Sequence, residues 1–97
     1  MVIITYKPIR DFADTHTDAL DALNEWFLKT ESAQWGAPID VHQTFSNVDY
    51  IGDYRFVFNI KGNKYRLVAM IHFAVRTVYI RFIGTHSAYD AIDCLTI

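Results

Sequence analysis

The hydrophobic period of this chain changes near its middle, and that change limits the folds open to it. Between Lys7 and Leu28 apolar residues recur at helical spacing, whereas from Tyr54 onward they alternate with other residues. A striped helix and a one-faced sheet each need a partner to cover their apolar side, so the two halves are expected to pack on each other. The predicted class is α+β. With 97 residues the chain suits one modest core, so residues 1–97 are read as a single domain.

The elements follow from local signals. Val2–Thr5 reads as a short β-prone strand. Lys7–Thr15 has helical spacing, with Ile9, Phe12 and Ala13 on one side. Thr17 fits a helix N-cap, with Asp18 and Asp21 in the first turn that follows. The apolar stripe of that second helix runs Leu20, Leu23, Trp26, Phe27 and Leu28, and Gly36-Ala37-Pro38 is its stop. Residues 37–53 read as an irregular connection that carries Phe45, Val48 and Tyr50 beneath a sheet edge. Tyr54–Ile60, Lys64–Phe73 and Thr77–Ile83 are three strands of an antiparallel meander. Lys61-Gly62-Asn63-Lys64 is the first turn, with Gly-Asn supplying positive φ, and Val75–Arg76 the second. In the last strand Val78, Ile80 and Phe82 are set against Tyr79, Arg81 and Ile83. A short helix begins near Thr85 and ends by Leu95. Arg66 and Arg81 are expected to share an orientation on adjacent strands, on the sheet face away from the helices.

Composition excludes several classes. A chain that is 52% hydrophobic and 15% aromatic is not disordered. Its longest apolar runs, such as Leu67–Ile71, fall far short of the roughly 20 residues that cross a membrane. Met1–Thr5 lacks the basic start and cleavage site of a signal peptide. Cys94, the only cysteine, has no internal disulfide partner and no metal-ligand spacing around it, which points to a reducing, cytoplasmic setting. His16, His42 and His72 show no ligand spacing either, and His72 reads as structural, as do Trp26 and Trp35. No cofactor or metal is expected.

The net charge of −2 argues against a nucleic-acid binder, yet the charges are segregated. Residues 1–53 hold three cations against nine acids, while residues 54–89 hold Arg55, Lys61, Lys64, Arg66, Arg76 and Arg81 with no acid at all. This is the pattern of a basic working surface on a near-neutral protein; a set of solvated strand and turn charges also accounts for it.

Two segments carry a resemblance. Val57-Phe58-Asn59-Ile60-Lys61-Gly62-Asn63-Lys64-Tyr65-Arg66-Leu67-Val68-Ala69 and Ile80-Arg81-Phe82-Ile83-Gly84-Thr85-His86-Ser87-Ala88-Tyr89-Asp90 resemble the HigB-type toxins of the RelE/ParE superfamily. The signature is a Phe-Asn strand end, a Gly-Asn-Lys-Tyr-Arg hairpin and a closing Gly-Thr-His-x-x-Tyr-Asp. The opening Ile4-Thr5-Tyr6-Lys7-Pro8-Ile9-Arg10-Asp11-Phe12-Ala13 approximates the family's start with one residue more between Ile4 and Lys7. The resemblance implies a RelE-like fold. That is an N-terminal strand and two helices packed on an antiparallel three-to-four-stranded sheet, with a short C-terminal helix. It also implies a messenger-RNA endonuclease acting on the ribosome. In that chemistry the ribose 2′-OH attacks the adjacent phosphate, without metal or cofactor. The implied partners are a HigA-type helix-turn-helix antitoxin, messenger RNA on the ribosome, and operator DNA only through the antitoxin complex.

The residue types suit that chemistry. Attack on a phosphodiester builds negative charge that fixed cations stabilise, and a guanidinium grips phosphate better than an ammonium. Arg66, mid-strand on the polar face, is the first candidate for the phosphate clamp, with Arg81 beside it; both also read as ordinary strand arginines. Lys61, Asn63 and Lys64 in the hairpin are candidates for holding RNA backbone, or form a solvated turn. His86 is the acid/base candidate, because imidazole titrates near neutrality. Tyr89, three residues on, donates a proton or stacks on a base, or pins the last helix as a core aromatic. Asp90 is placed to orient His86. Ala88 stands where related toxins commonly have glutamate, so the last helix is expected to start at Ser87, with Asp90 as a reciprocal cap. The pI near 6.0 departs from the strongly basic character of many such toxins and implies weaker substrate binding. Two other readings use the same fold: a ParE-like inhibitor of DNA gyrase, and an inactive toxin that only binds its antitoxin as co-repressor.

Overall fold

The computed structural model describes all residues, Met1–Ile97. Its elements are β1 (Val2–Ile3), α1 (Lys7–Thr15), α2 (Leu20–Ser32, entered through a 3₁₀ turn at Thr17–Ala19), α3 (Pro38–Thr44), β2 (Val48–Gly52), β3 (Arg55–Ile60), β4 (Tyr65–His72), β5 (Thr77–Thr85) and α4 (His86–Asp90). The sheet has five strands in the order β1-β5-β4-β3-β2. β1 runs parallel to β5, and every other pair is antiparallel.

The expected α+β class holds, with two additions in the segment read as irregular. Gly36-Ala37-Pro38 does more than mark a stop. The Asp40 carboxylate accepts the backbone N–H groups of Gly36 and Ala37, and Pro38 occupies the first turn of α3, where its missing N–H costs nothing. Downstream, β2 pairs with β3 and becomes an edge strand. Only three of its residues alternate before a bulge at Tyr50/Gly52, too short a run for a period to be read. The sheet is therefore mixed and wider than the three or four antiparallel strands expected.

One face of the sheet carries the core. Phe56, Phe58 and Ile60 of β3 join Tyr65, Leu67, Ala69 and Ile71 of β4 beneath Ile9 of α1, Leu23 and Trp26 of α2 and Val41 of α3. The α2 stripe is narrower than its sequence suggested: Leu20 and Leu28 lie exposed, and Thr30 takes the buried position one turn beyond Trp26. Truncating Leu23, which has no exposed surface, to Ala costs about 2–5 kcal/mol by the usual transfer and cavity terms. The far end of the helical layer is tied to the β3–β4 hairpin by Asp18. It accepts from the Tyr65 hydroxyl (2.6 Å) and pairs with Lys64 and Lys61.

Candidate active site

The opposite face of the sheet is built from the other parity of β3 and β4: Arg55, Val57 and Asn59 on one strand, Arg66, Val68, Met70 and His72 on the next. Arg66 lies on this outer face, paired across the strands with Asn59 and Gly84. It is only 8% exposed. Its guanidinium donates to the Asn63 carbonyl (3.0 Å), the Tyr65 carbonyl (3.3 Å) and the Asn63 side-chain oxygen (3.2 Å). No carboxylate lies within ion-pair distance, so neutral acceptors hold its full charge in place. A cation fixed by its own fork and left uncompensated is what an incoming phosphate needs. Asn63, expected to touch RNA, acts in this structure as the support that orients Arg66.

The hairpin achieves this with Lys61 and Gly62 in the left-handed region (φ +52° and +63°), one position earlier than the expected Gly-Asn pair. Lys61 and Lys64 do not join Arg66. Both reach Asp18 at the start of the helical layer, and Lys64 also lies over the Tyr65 ring. These contacts hold the Asp18 carboxyl well below the ordinary carboxylate range, chiefly through Lys64 and then Tyr65, and they raise the Lys64 and Tyr65 values in turn.

Gly84 shapes the floor beside Arg66. A Cβ there would come 2.4 Å from the tip of the Phe82 ring, so the ring lies against the bare Cα of Gly84. That arrangement exists because β5 contains a bulge. Val68 pairs with Phe82 but Ala69 pairs with Ile80, leaving Arg81 as the extra residue. Phe82 is thereby turned onto Arg66's face, and Ile83 toward the helices. The alternation expected for β5 is broken at this point, and with it the expected Arg66–Arg81 pair. Arg81 sits instead at the sheet edge in a cavity of about 420 Å³, against Pro8, Asp11, Phe12 and Thr15 of α1. The structure separates the two arginines.

The last helix brings Tyr89 back to Arg66. Thr85 pairs with Tyr65, and α4 begins at the next residue. Thr85 itself is the N-cap: its hydroxyl accepts the Ala88 N–H at 3.1 Å, which fits a helix beginning near Thr85 and rules out the alternative start at Ser87. A hydroxyl cap needs no glutamate at Ala88, and Asp90 is free for another role. Its carboxylate meets His86 Nδ1 at 3.1 Å, leaving Nε2 directed elsewhere. Tyr89 lies close enough to Arg66 and Asp49 to feel both charges. Its hydroxyl is pushed up to about 12, first by the neighbouring Cys94 thiol, then by burial and the Asp49 carboxylate, with Arg66 opposing. At neutral pH it therefore stays protonated and has a hydrogen to donate. The tail beyond α4 crosses the outer face, where the Ile97 carbonyl accepts two bonds from Arg55 (3.2 and 2.7 Å).

The structure thus gathers Arg66, Asn63 and Tyr89, sets the His86–Asp90 pair on the same short helix, and leaves Lys61, Lys64 and Arg81 elsewhere. Sequence reasoning does not reach Asp49 or Phe82. Asp49 lies in the segment without a readable period, and unbroken alternation along β5 predicts Phe82 on the opposite face. No three His, Cys, Asp or Glu side chains gather where they could hold a metal ion. No helix is long and apolar enough to cross a membrane.

A RelE-like sheet with a buried, unpaired arginine on its outer face and a Thr-capped His–Asp helix beyond it defines a class. The family model described as HigB toxin, the RelE-like toxic component of a toxin–antitoxin system, matches residues 19–92. Over 98 residues the chain is 36% identical to the mRNA interferase toxin HigB of Escherichia coli (strain K12), covering 93% of this chain and 88% of that protein. The same figures hold for the mRNA interferase HigB of Shigella flexneri. The mRNA interferase HigB of Escherichia coli O6:H1 is 25% identical over 95 residues, with 95% and 91% coverage. The chain belongs to the HigB toxin family.

Proposed function

We propose that this toxin is an mRNA endonuclease that cuts messages on the ribosome, by attack of a ribose 2′-OH on the adjacent phosphate. Its relatives are named mRNA interferases over nearly their full length. The observation that carries the assignment is Arg66, a nearly buried guanidinium with no carboxylate partner. Arg66 grips the scissile phosphate and stabilises the charge that grows on its oxygens. His86, oriented by Asp90, takes the 2′-OH proton. The 2′-oxygen bonds to phosphorus as the bond to the 5′-oxygen breaks. Tyr89 donates its proton toward that leaving oxygen. The products are a 2′,3′-cyclic phosphate and a 5′-OH, with the proton count balanced and no metal called for. Lys61 and Lys64 contact RNA backbone only by exchanging Asp18 for phosphate, and Arg81 acts at the sheet edge, apart from the reacting phosphate.

A HigA-type antitoxin with a helix-turn-helix domain is the proposed partner, and the complex rather than this chain binds operator DNA. The acidic helical surface bearing Asp14, Asp21 and Glu25 is the proposed docking face; charge reversal there, compared with reversal at Arg66 and Arg81, tests it. The activity is tested with purified protein on translating ribosomes in the presence and absence of a chelator. Cleavage at discrete sites that persists in chelator and disappears in Arg66→Ala is expected. A folded wild-type protein that leaves the message intact would refute the reading.

A further inference from the structure

At the end of the outer face remote from the hairpin, two exposed tyrosines flank a half-buried histidine ring. The Tyr54 ring lies against the His72 ring with centroids 4.9 Å apart and planes 29° apart, and Tyr79 meets the other side of His72 edge-on at 5.7 Å. Tyr54 is 51% exposed and Tyr79 37% exposed, so the stack is a surface rather than part of the core. His72 and Arg66 share one strand face, six residues apart, which is about 20 Å at ~3.3 Å per residue. The tail covers the β3 side of that face through Arg55. On the β5 side Phe82 and Tyr79 are left at least partly open.

The turn that presents Tyr54 is strained. Gly52, Asp53 and Tyr54 have φ of +90°, +50° and +64°. A bulky side chain is a genuine outlier in that region, where glycine would be free of cost. Nothing in the core uses the ring: its contact is His72, on the surface. Charge also suits an anionic ligand. Asp53 is paired with Arg55 at 2.7 Å, and Arg76, in the neighbouring turn before β5, has no carboxylate partner.

We infer that the Tyr54–His72–Tyr79 stack is a base-stacking subsite for an unpaired stretch of the message, a few nucleotides from the phosphate held by Arg66. A nucleobase lies on the open face of Tyr54, with its backbone phosphate toward Arg76. This inference rests on the proposed nuclease reading. Stacking of this kind is tolerant of base identity, so the subsite adds affinity and register rather than sequence choice.

The test measures single-turnover cleavage of ribosome-bound message against toxin concentration. Tyr54→Leu should raise the half-saturating concentration roughly tenfold and leave the rate at saturation unchanged. Tyr54→Phe should match wild type. Tyr54→Gly should bind as poorly as Tyr54→Leu while melting no lower, since glycine relieves the turn; this separates lost stacking from lost fold. A message carrying one abasic nucleotide at the stacked position should weaken wild type by the same factor and abolish the difference between wild type and Tyr54→Leu. Unchanged half-saturation in Tyr54→Leu would overturn the inference. So would a Tyr54→Leu defect that persists on every abasic message, which would assign the stack to ribosomal RNA or to a protein. Failure of wild type to cut at all would instead remove the nuclease reading, and this inference with it.

Discussion

Replacing Arg66 by lysine separates charge from geometry at the centre of the site. Lysine keeps the positive charge but offers one nitrogen where the guanidinium fork spans both the carbonyl and the side-chain oxygen of Asn63. Nη1 makes two of the three hydrogen bonds by itself, so a single ammonium nitrogen must lose at least the one from Nη2 to the Asn63 side chain. That acceptor lies in an exposed turn and regains water, so the cost is about 1 kcal/mol. For a domain of this size that lowers the melting temperature by roughly 4–8 °C per kcal/mol. The catalytic effect should be larger. Arg66→Ala removes a transition-state cation and should cost on the order of 100-fold or more in rate. Arg66→Lys, with its charge no longer held in a bidentate pose, should fall between the two, about tenfold below wild type. Circular-dichroism melts and cleavage on translating ribosomes measure both quantities on the same preparations. Wild-type cleavage by folded Arg66→Ala would refute the clamp. Wild-type cleavage by Arg66→Lys would refute the claim that the fork, rather than the charge, is what the hairpin builds.

His86→Ala should slow cleavage about 100-fold or more while the melt is unchanged, and Asp90→Asn should slow it less, since it only releases the ring; an Asp90→Asn defect larger than that of His86→Ala would reverse the roles. Asp18 has a depressed folded value. Its contribution to stability is therefore complete above the ordinary carboxylate value of 3.8 and is lost as pH falls through the folded one. Urea midpoints should show wild type above Asp18→Asn at pH 7, with the gap closing below about pH 4; a constant gap would mean that the Lys61, Lys64 and Tyr65 contacts carry no net weight. Gly84→Ala should cost about 1–3 kcal/mol because its Cβ displaces the Phe82 ring, and the cost should shrink in a Phe82→Ala background, a coupling read from the double-mutant cycle in thermal melts.

How much of this was legible beforehand depends on the range of the cause. Helix α1 is legible from end to end, as are the core parity of β3 and β4 and the place of the hairpin between them, because these signals are local; the positive-φ pair, Lys61-Gly62 rather than Gly62-Asn63, is not. The family is legible too, through the hairpin and the Gly84-Thr85-His86 junction. The segment over 37–53 is not: α3 is held by one carboxylate reaching back to Gly36 and Ala37, and β2 gains its identity only by pairing with β3. Unbroken alternation along β5 predicts Arg81 beside Arg66. A single bulged residue reverses the face of everything after it, and which residue bulges is decided by how β5 fits against β4. The basic hairpin shows the same limit. Lys61 and Lys64 read as free cations, but Asp18, 43 and 46 residues away in sequence, claims both. Sequence by itself determined which groups this toxin owns and which local elements carry them. Tertiary structure decided which cations stay unpaired, since charge compensation and strand register are properties of neighbours in space: Arg66 is left uncompensated on the outer face, Lys61 and Lys64 are bound to Asp18, and Arg81 is turned to the sheet edge.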